Sequence, residues 1–361
     1  MEYGLYVHIP YCKSRCRYCD FYSCGSSATV PDEYVAALLR DFARHAPKNA
    51  RPATVYFGGG TPGLLSAFQV GQLLKTVNPL PGAEITLEAN PEGITAQKLA
   101  EWRAIGVNRL SLGVQSARAE SLKRLGRLHS PQQARKAFLL ARAAGFENVS
   151  GDLMLALPGY CEEEFEESLR LLQDGGVTHI SAYLLKIEEN TPFGKNPPEG
   201  LPNPDEAAAF YLHAAVRLAE EGYARYEISN FAKPSYEAQH NLLYWNLGQW
   251  LGLGPAAHSC LLGRRFSFAA DLNAFLSGNL APREEGEVTA EDYIMLQLRL
   301  AGGLSEKALQ SRFGLALSVG QRELLALLCQ QGLAMHSDDA WALTSEGLLV
   351  QNSILARLLP G

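Results

Sequence analysis

Over its first 190 residues the chain repeats one pattern: a short apolar run rich in β-branched and aromatic residues, then a stretch with apolar positions at helical spacing. Six such runs stand out, at 5–9, 54–57, 84–88, 109–114, 148–154 and 179–184, recurring every 25 to 49 residues. That interval leaves room for a crossover helix each time, so the pattern predicts parallel strands joined by helices. Helix signals fall in the gaps. Ser66 with Gln69, and Ser130 with Pro131 and Gln133, read as helix starts, while Gly106, Gly145 and Gly175 follow periodic stretches and read as stops. Six units are two short of a closed eight-stranded barrel. The expected fold class is therefore α/β, a partial (β/α)6 TIM-like barrel open at one side. A flat doubly wound sheet is the alternative, and it requires a reversal of strand order.

Beyond this repeat, residues 191 to about 203 are rich in Pro and Gly and mark a loop before a helix near 205–222. A strand candidate at 225–229, an aromatic-rich stretch at 236–250 and a Gly-rich turn at 252–254 follow. The charged, turn-like segment 282–286 suggests a boundary. From residue 289 the expected order is three helices, a hairpin at 333–343 and a last helix, an additional winged-helix-like module. The division expected is a core barrel over 1–230, an α+β extension over 231–286 and the C-terminal module over 287–361. DNA reading by that module is not expected. Arg322 is the only cation in its would-be recognition helix, and residues 288–361 hold five Lys and Arg against seven Asp and Glu.

Composition adds little except by exclusion. Apolar residues make up 47% and charged residues 19% of 361, ordinary values for a soluble globular protein with a sizeable core. The chain has no run of eighteen apolar residues, and it enters a strand-like stretch rather than a basic segment with an apolar region behind it, so the expected location is cytoplasmic. A net charge of −6 offers no global attraction to nucleic acid. The cysteines are more informative. Four of the seven fall between positions 12 and 24, a clustering that points to a metal centre rather than a disulfide framework.

In a βα barrel, functional groups gather at the C-terminal ends of the strands. The six strands deliver there, in turn, the cysteine cluster, Gly58-Gly59-Gly60-Thr61-Pro62, Glu88 with Asn90, Gln115, Asp152 and Tyr183. Cys12, Cys16 and Cys19 have the spacing C-x3-C-x2-C; three thiolates so close can wrap one [4Fe–4S] cubane and leave one iron without a protein ligand. A structural zinc site is the alternative, and would take His8 or Cys24 as fourth ligand. The glycine triplet lets backbone approach a ligand closely, or serves as a plain tight turn. Glu88 and Asp152 are carboxylates on apolar strands and need partners, either in ion pairs with Arg109 or Arg127 or in the polar groups of an adenosyl ligand.

The residues from Tyr6 through Cys12, the Cys19-Asp20-Phe21 run, GGGTP at 58–62, LEANP at 87–91, GVQS at 113–116, LKRLGRLH at 122–129 and DLMLALPG at 152–159 together resemble the radical-SAM family of oxygen-independent coproporphyrinogen oxidases and their paralogues. The match runs in order through nearly the whole chain. The resemblance implies that the three cysteines bind the cluster and that Tyr6, Tyr18, Gly59, Gly60, Thr61, Glu88, Gln115, Arg127 and Asp152 occupy S-adenosylmethionine-binding positions. It further implies that the amine and carboxylate of that cofactor chelate the open iron.

Two features favour the haem-chaperone branch of the family over its oxidases. The oxidases carry a further Cys two residues after the third ligand, where this chain has Phe21, and Cys24 lies at the wrong spacing to replace it. His240-Asn241-Leu242-Leu243-Tyr244-Trp245 resembles the HNxxYW motif of that branch. An imidazole can ligate haem iron while Tyr244 and Trp245 offer flat apolar faces; otherwise His240 caps a helix and the aromatics are core. His258, after the second Gly-rich turn, either faces the same pocket or bonds locally. The implied partners are haem as cargo, a haem-accepting protein such as a membrane-associated respiratory protein, and an electron donor. Any attachment to the inner face of the cytoplasmic membrane would run through a partner.

Overall fold

Glu84-Ile85-Thr86-Leu87-Glu88 alternates polar and apolar residues, and the same alternation organises the first half of the protein. In the computed structural model, which describes residues 2–359, all six expected strands form. They are β1 (Glu2–Ile9), β2 (Arg51–Gly59), β3 (Glu84–Ala89), β4 (Arg109–Gln115), β5 (Asn148–Leu155) and β6 (His179–Leu184). They are parallel and lie side by side in chain order. The order never reverses, which rules out the doubly wound alternative.

Because successive side chains on a strand point to opposite faces, each strand divides into two sets. Leu5, Val7, Ile9, Val55, Phe57, Leu87, Leu110, Leu112 and Ile180 pack outward with the helices in one continuous core. Each such side chain contributes about 1.5–3 kcal/mol by leaving water. The inward set is different. Closed barrels fill the lumen with branched aliphatics, whereas this one holds Tyr6, Tyr56, Thr86, Arg109, Ser150 and His179 in its lower layers and Glu88, Ser111, Asp152 and Tyr183 towards the top. The lumen is a polar chamber rather than a packed core.

The helix starts follow the capping signals. Ser66 and Ser130 each accept from the amide three residues on, while Gln69 and Gln133 bond back, and Pro131 opens the second helix.

Strands β1 and β6 do not pair with each other, so the barrel stays open, and each carries further strands. On the β6 side, β7 (Ala224–Glu227) and β8 (Asn230–Ala232) add an antiparallel hairpin, β8 next to β6. On the other side, β9 (Trp250–Leu253) runs parallel to β1, and β10 (His258–Leu261), β11 (Arg264–Phe268) and β12 (Pro282–Glu287) continue antiparallel to make a sheet of twelve. Segment 231–286 thus extends mainly the β1 edge of the core sheet, while the β6 edge is extended by strands that begin at Ala224 and Asn230. Residues 282–286, read from sequence as a charged turn, belong to the outermost strand.

The C-terminal module follows the expected order up to the hairpin, after which two short helices stand where one was expected. Helices Ala290–Gln297, Glu306–Phe313 and Val319–Gln330 precede a hairpin of Ala334–Ser337 and Ala340–Leu343, and two short helices close it over a second apolar core. Arg322 pairs with Glu306 at 2.7 Å, which occupies the one cation of the would-be recognition helix. No helix of the described residues is long and apolar enough to cross a membrane.

Candidate functional site

The loop after β1 carries the cysteines and is tied down by its own backbone. Cys12 N donates to Cys24 O at 3.1 Å, Ser27 N donates to Cys12 O at 2.9 Å, and Arg17 N donates to Leu125 O at 3.0 Å. Cys24 therefore fastens the loop through main-chain bonds. Its thiol is not among the walls of the central cavity, whereas Cys12, Cys16 and Cys19 all are. Burial pushes the Cys12 and Cys19 thiols up, the neighbouring Cys16 adding to both. Arg127 brings a guanidinium 3.6 Å from the Cys16 sulfur, and Thr61 donates to the Cys12 sulfur at 3.4 Å. No three His, Cys, Asp or Glu side chains among the described residues are gathered as ligands of a single ion. One zinc would draw its sulfurs to a common point at about 2.3 Å. A cubane takes each thiolate on a different iron, and three thiols that line one cavity are the donors it requires.

The glycine triplet brings backbone against this loop. Gly59 has φ +111°, a conformation costly for other residues, and a Cβ on Gly60 would lie 2.8–3.0 Å from Tyr11 O, Ile9 O and the Cys12 sulfur. Gly60→Ala is accordingly expected to lower the iron retained after anaerobic reconstitution although no ligand is altered, with an overpacking cost of about 1–3 kcal/mol. Full iron loading of that variant would show that the contact is not needed.

Across the cavity, a bulge between Gly113 and Gln115 holds Gln115 at φ +71°. Such strain in a non-glycine residue is sustained where it aims a side chain, and Gln115 meets the Tyr183 hydroxyl at 2.9 Å on the cavity wall. Arg127 lines the cavity as well, donating to Asn90 Oδ1 at 2.7 Å and to the Gly113 carbonyl.

Glu88 and Asp152 border the cavity and are enclosed by protein elsewhere. Neither forms an ion pair with Arg109 or Arg127 among the described residues, which removes the salt-bridge alternative. Burial raises Glu88 to about 7, against the pull of a 2.6 Å bond from the Tyr56 hydroxyl. Burial also raises Asp152, opposed by Ser181 and by Ser111, whose hydroxyl lies 3.2 Å away. Two buried carboxyls without cationic partners suit a ligand that supplies hydroxyls and an amine.

Of the residues assigned from sequence to the S-adenosylmethionine positions, Tyr18, Gly59, Gly60, Thr61, Glu88, Gln115, Arg127 and Asp152 line this cavity of about 150 Å³. Tyr6 does not. It lies in the layer beneath, its hydroxyl 3.0 Å from His8 Nδ1. A second space of about 420 Å³ opens alongside, sharing Phe21, Glu88, Asp152 and Tyr183 and adding Met154 and Leu184. Phe21 stands at its mouth, 68% exposed. Tyr56, Ser111 and Ser181 also face these spaces and are not singled out by the sequence motifs. The period-two positions of T-V-Y-F-G at 54–58, R-L-S-L-G at 109–113 and H-I-S-A-Y at 179–183 are the signal that could have found them.

The HNxxYW segment lies apart from the cysteine-lined cavity. Helix Gln239–Trp245 enters the lower, N-terminal end of the barrel, where Glu84 accepts from the amides of Gln239 and His240 at 3.2 Å. His240 is 1% exposed. One ring nitrogen lies 2.7 Å from Thr54 Oγ1 and the other 2.7 Å from the Tyr244 hydroxyl, and burial lowers its pKa to about 3. In this conformation both ring nitrogens of His240 are engaged inside the lumen. Asn241, Tyr244 and Trp245 are half-buried. His258 is exposed and faces Glu285 at 3.4 Å, a local contact away from the cavity.

Residues 6–172 match the radical SAM superfamily and residues 286–350 the HemN C-terminal domain. The heme chaperone HemW of Escherichia coli (strain K12) is 37% identical over 99% of this chain and 98% of its own length. The heme chaperone HemW of Bacillus subtilis (strain 168) is 34% identical over 98% of each. Among solved structures, coproporphyrinogen III oxidase (HemN) from Escherichia coli, a radical SAM enzyme, superposes with a TM-score of 0.84 at 23% identity, covering 98% of this chain and 89% of that one. At that identity the likeness establishes the fold.

Proposed function

The chain belongs to the radical-SAM HemN/HemW family, and on that premise we propose that it is a haem chaperone that binds a [4Fe–4S] cluster, S-adenosylmethionine and haem and delivers the haem to acceptor proteins. The observation that carries this reading is the convergence of three cysteine side chains and two unpaired carboxylates on one cavity. Cys12, Cys16 and Cys19 hold the cluster, leaving one iron for the amine and carboxylate of the cofactor. Tyr18, Gly59, Gly60 and Thr61 bind the cofactor beside the cluster loop, with Glu88, Gln115, Arg127 and Asp152 across the cavity and Tyr6 supporting them from below. When bound, the reduced cluster would supply an electron to the sulfonium. The protein's own part is to orient the cofactor, with Glu88 and Asp152 accepting hydrogen bonds from it, and to shield the site from water.

Phe21 favours the chaperone over the decarboxylating oxidase. It replaces the family's additional Cys, and a phenyl ring offers apolar surface but no thiol chemistry. The acceptor is proposed to be a respiratory protein at the inner face of the cytoplasmic membrane, with a separate electron donor serving the cluster.

Haem is proposed to bind at His240, Asn241, Tyr244 and Trp245 in an opened form in which helix Gln239–Trp245 has left the lumen. Opening gives up at least the bond between His240 and Thr54 and those from the Gln239 and His240 amides to Glu84, each a net contribution of about 1 kcal/mol, in exchange for an iron–imidazole bond. The neutral imidazole is already the form that iron requires. In a haem titration of the reconstituted protein, His240→Ala should lose the axial-ligand shift of the absorption spectrum and bind at least about tenfold more weakly, by the loss of one coordinate bond and its neighbours. An unchanged spectrum and affinity would remove His240 as ligand. The same sample should not turn over coproporphyrinogen; decarboxylation would replace the chaperone reading with the oxidase.

A further inference from the structure

Tyr56 connects the lower end of the barrel to the upper cavity. Its ring stacks on His240 with centroids 5.2 Å apart at 24°, and on Tyr6 at 6.2 Å and 26°. Gly58 closes it from above, since a Cβ there would lie 2.9 Å from the Tyr56 ring. With its ring held on these sides, the hydroxyl has a fixed direction, and it donates to Glu88 Oε1 at 2.6 Å. His240 is fixed in turn by Thr54 and Tyr244, and Gly4 admits it, because a Cβ there would come within 3.1 Å of the imidazole. Beyond this helix, Gln297 of the C-terminal module donates to Trp245 O at 3.0 Å, and Arg312 donates to Asn246 O at 2.7 Å.

We propose that Tyr56 is a positioning residue for Glu88, and that the buried His240 is the support on which Tyr56 stands, so that the HNxxYW helix shapes the S-adenosylmethionine pocket from beneath. The inference rests on the reading of Glu88 as a cofactor-binding residue. It gives the motif a role in the closed form that is independent of haem. It also has a thermodynamic consequence: withdrawal of His240 to meet haem removes the support under Tyr56, so haem and S-adenosylmethionine each weaken the other's binding by the same factor.

The test is equilibrium binding of S-adenosylmethionine to the anaerobically reconstituted full chain, without haem. Tyr56→Phe keeps the ring and removes the bond to Glu88. It should bind about tenfold more weakly, the scale of one charge-assisted hydrogen bond, with iron content unchanged. His240→Ala should weaken binding to a similar degree. His240→Gln, whose amide can bridge Thr54 and Tyr244, should restore much of the loss, which a general packing defect would not allow. Addition of S-adenosylmethionine should perturb the paramagnetic resonance of the reduced cluster less in Tyr56→Phe than in wild type. Wild-type affinity in Tyr56→Phe overturns the proposal while leaving the cofactor site in place. Wild-type affinity in His240→Ala overturns the supporting role of the helix. If wild type itself binds no S-adenosylmethionine although its cluster is intact, the site reading falls and the proposal with it.

Discussion

Cys12→Ala, Cys16→Ala and Cys19→Ala should each leave the anaerobically reconstituted chain without its brown chromophore, while Cys24→Ala should retain about four irons and four sulfides per chain. The contrast follows from placement. The first three thiols line one cavity, and Cys24 is held beside it by main-chain bonds to Cys12 and Pro10 that an alanine makes equally well. A cubane already missing one protein ligand has little tolerance for losing a second, so the expected effect of each ligand substitution is loss rather than weakening. Iron and sulfide analysis with the absorption spectrum reads the result. Loss of the cluster in Cys24→Ala, with retention in any of the other three, would overturn the ligand set.

The second large effect separates stability from binding at Glu88. A carboxyl raised to about 7 in the folded chain, against about 4.5 when unfolded, keeps its proton on folding over the intervening range. Above that range the folded state must hold a desolvated anion. Its stability therefore falls as pH rises from about 4.5 to 7, by about 1.4 kcal/mol for each pH step of one across that range, or about 3–4 kcal/mol in all. Glu88→Gln removes the titrating group and keeps an acceptor for the Tyr56 hydroxyl. The variant should melt several degrees above wild type at pH 8, with the gap narrowing toward pH 5, and should lose at least about tenfold in affinity for S-adenosylmethionine. Thermal melts across pH with a binding measurement at pH 8 check both halves. A wild-type melting curve at pH 8 would mean that the buried carboxylate carries no penalty.

The six core strands are legible because their outward faces are local signals. Leu5, Val7 and Ile9, or Leu110 and Leu112, announce a buried strand from a few residues of sequence, and the structure extends each predicted strand by at most a few positions. The edge strands are less legible. Pro282–Glu287 has no apolar face at all and pairs only because β11 offers it a partner. At the site, the spacing of the cysteines and the motifs after each strand locate most of the residues that line the cavity, but not Ser14, Arg15 or Ser111. Tyr6 sits one layer lower than its motif implies, because strand position does not reveal depth within a lumen. His240 depends on the longest-range information. Its environment is made by Thr54, 186 residues away, and by Glu84, and nothing within the HNxxYW segment indicates that a histidine at a helix start will be drawn into a barrel.

The twelfth strand carries one more implication. Every residue of Pro282–Glu287 is exposed, and the strand presents a proline, Arg283 and three glutamates at the outer margin of the sheet. A proline interrupts any ladder a newcomer would build, and a second molecule aligned antiparallel there would bring carboxylates into opposition. The sheet thus terminates itself. At high concentration, fibril-like growth through this margin is disfavoured by the same residues that give the strand so little interior to belong to.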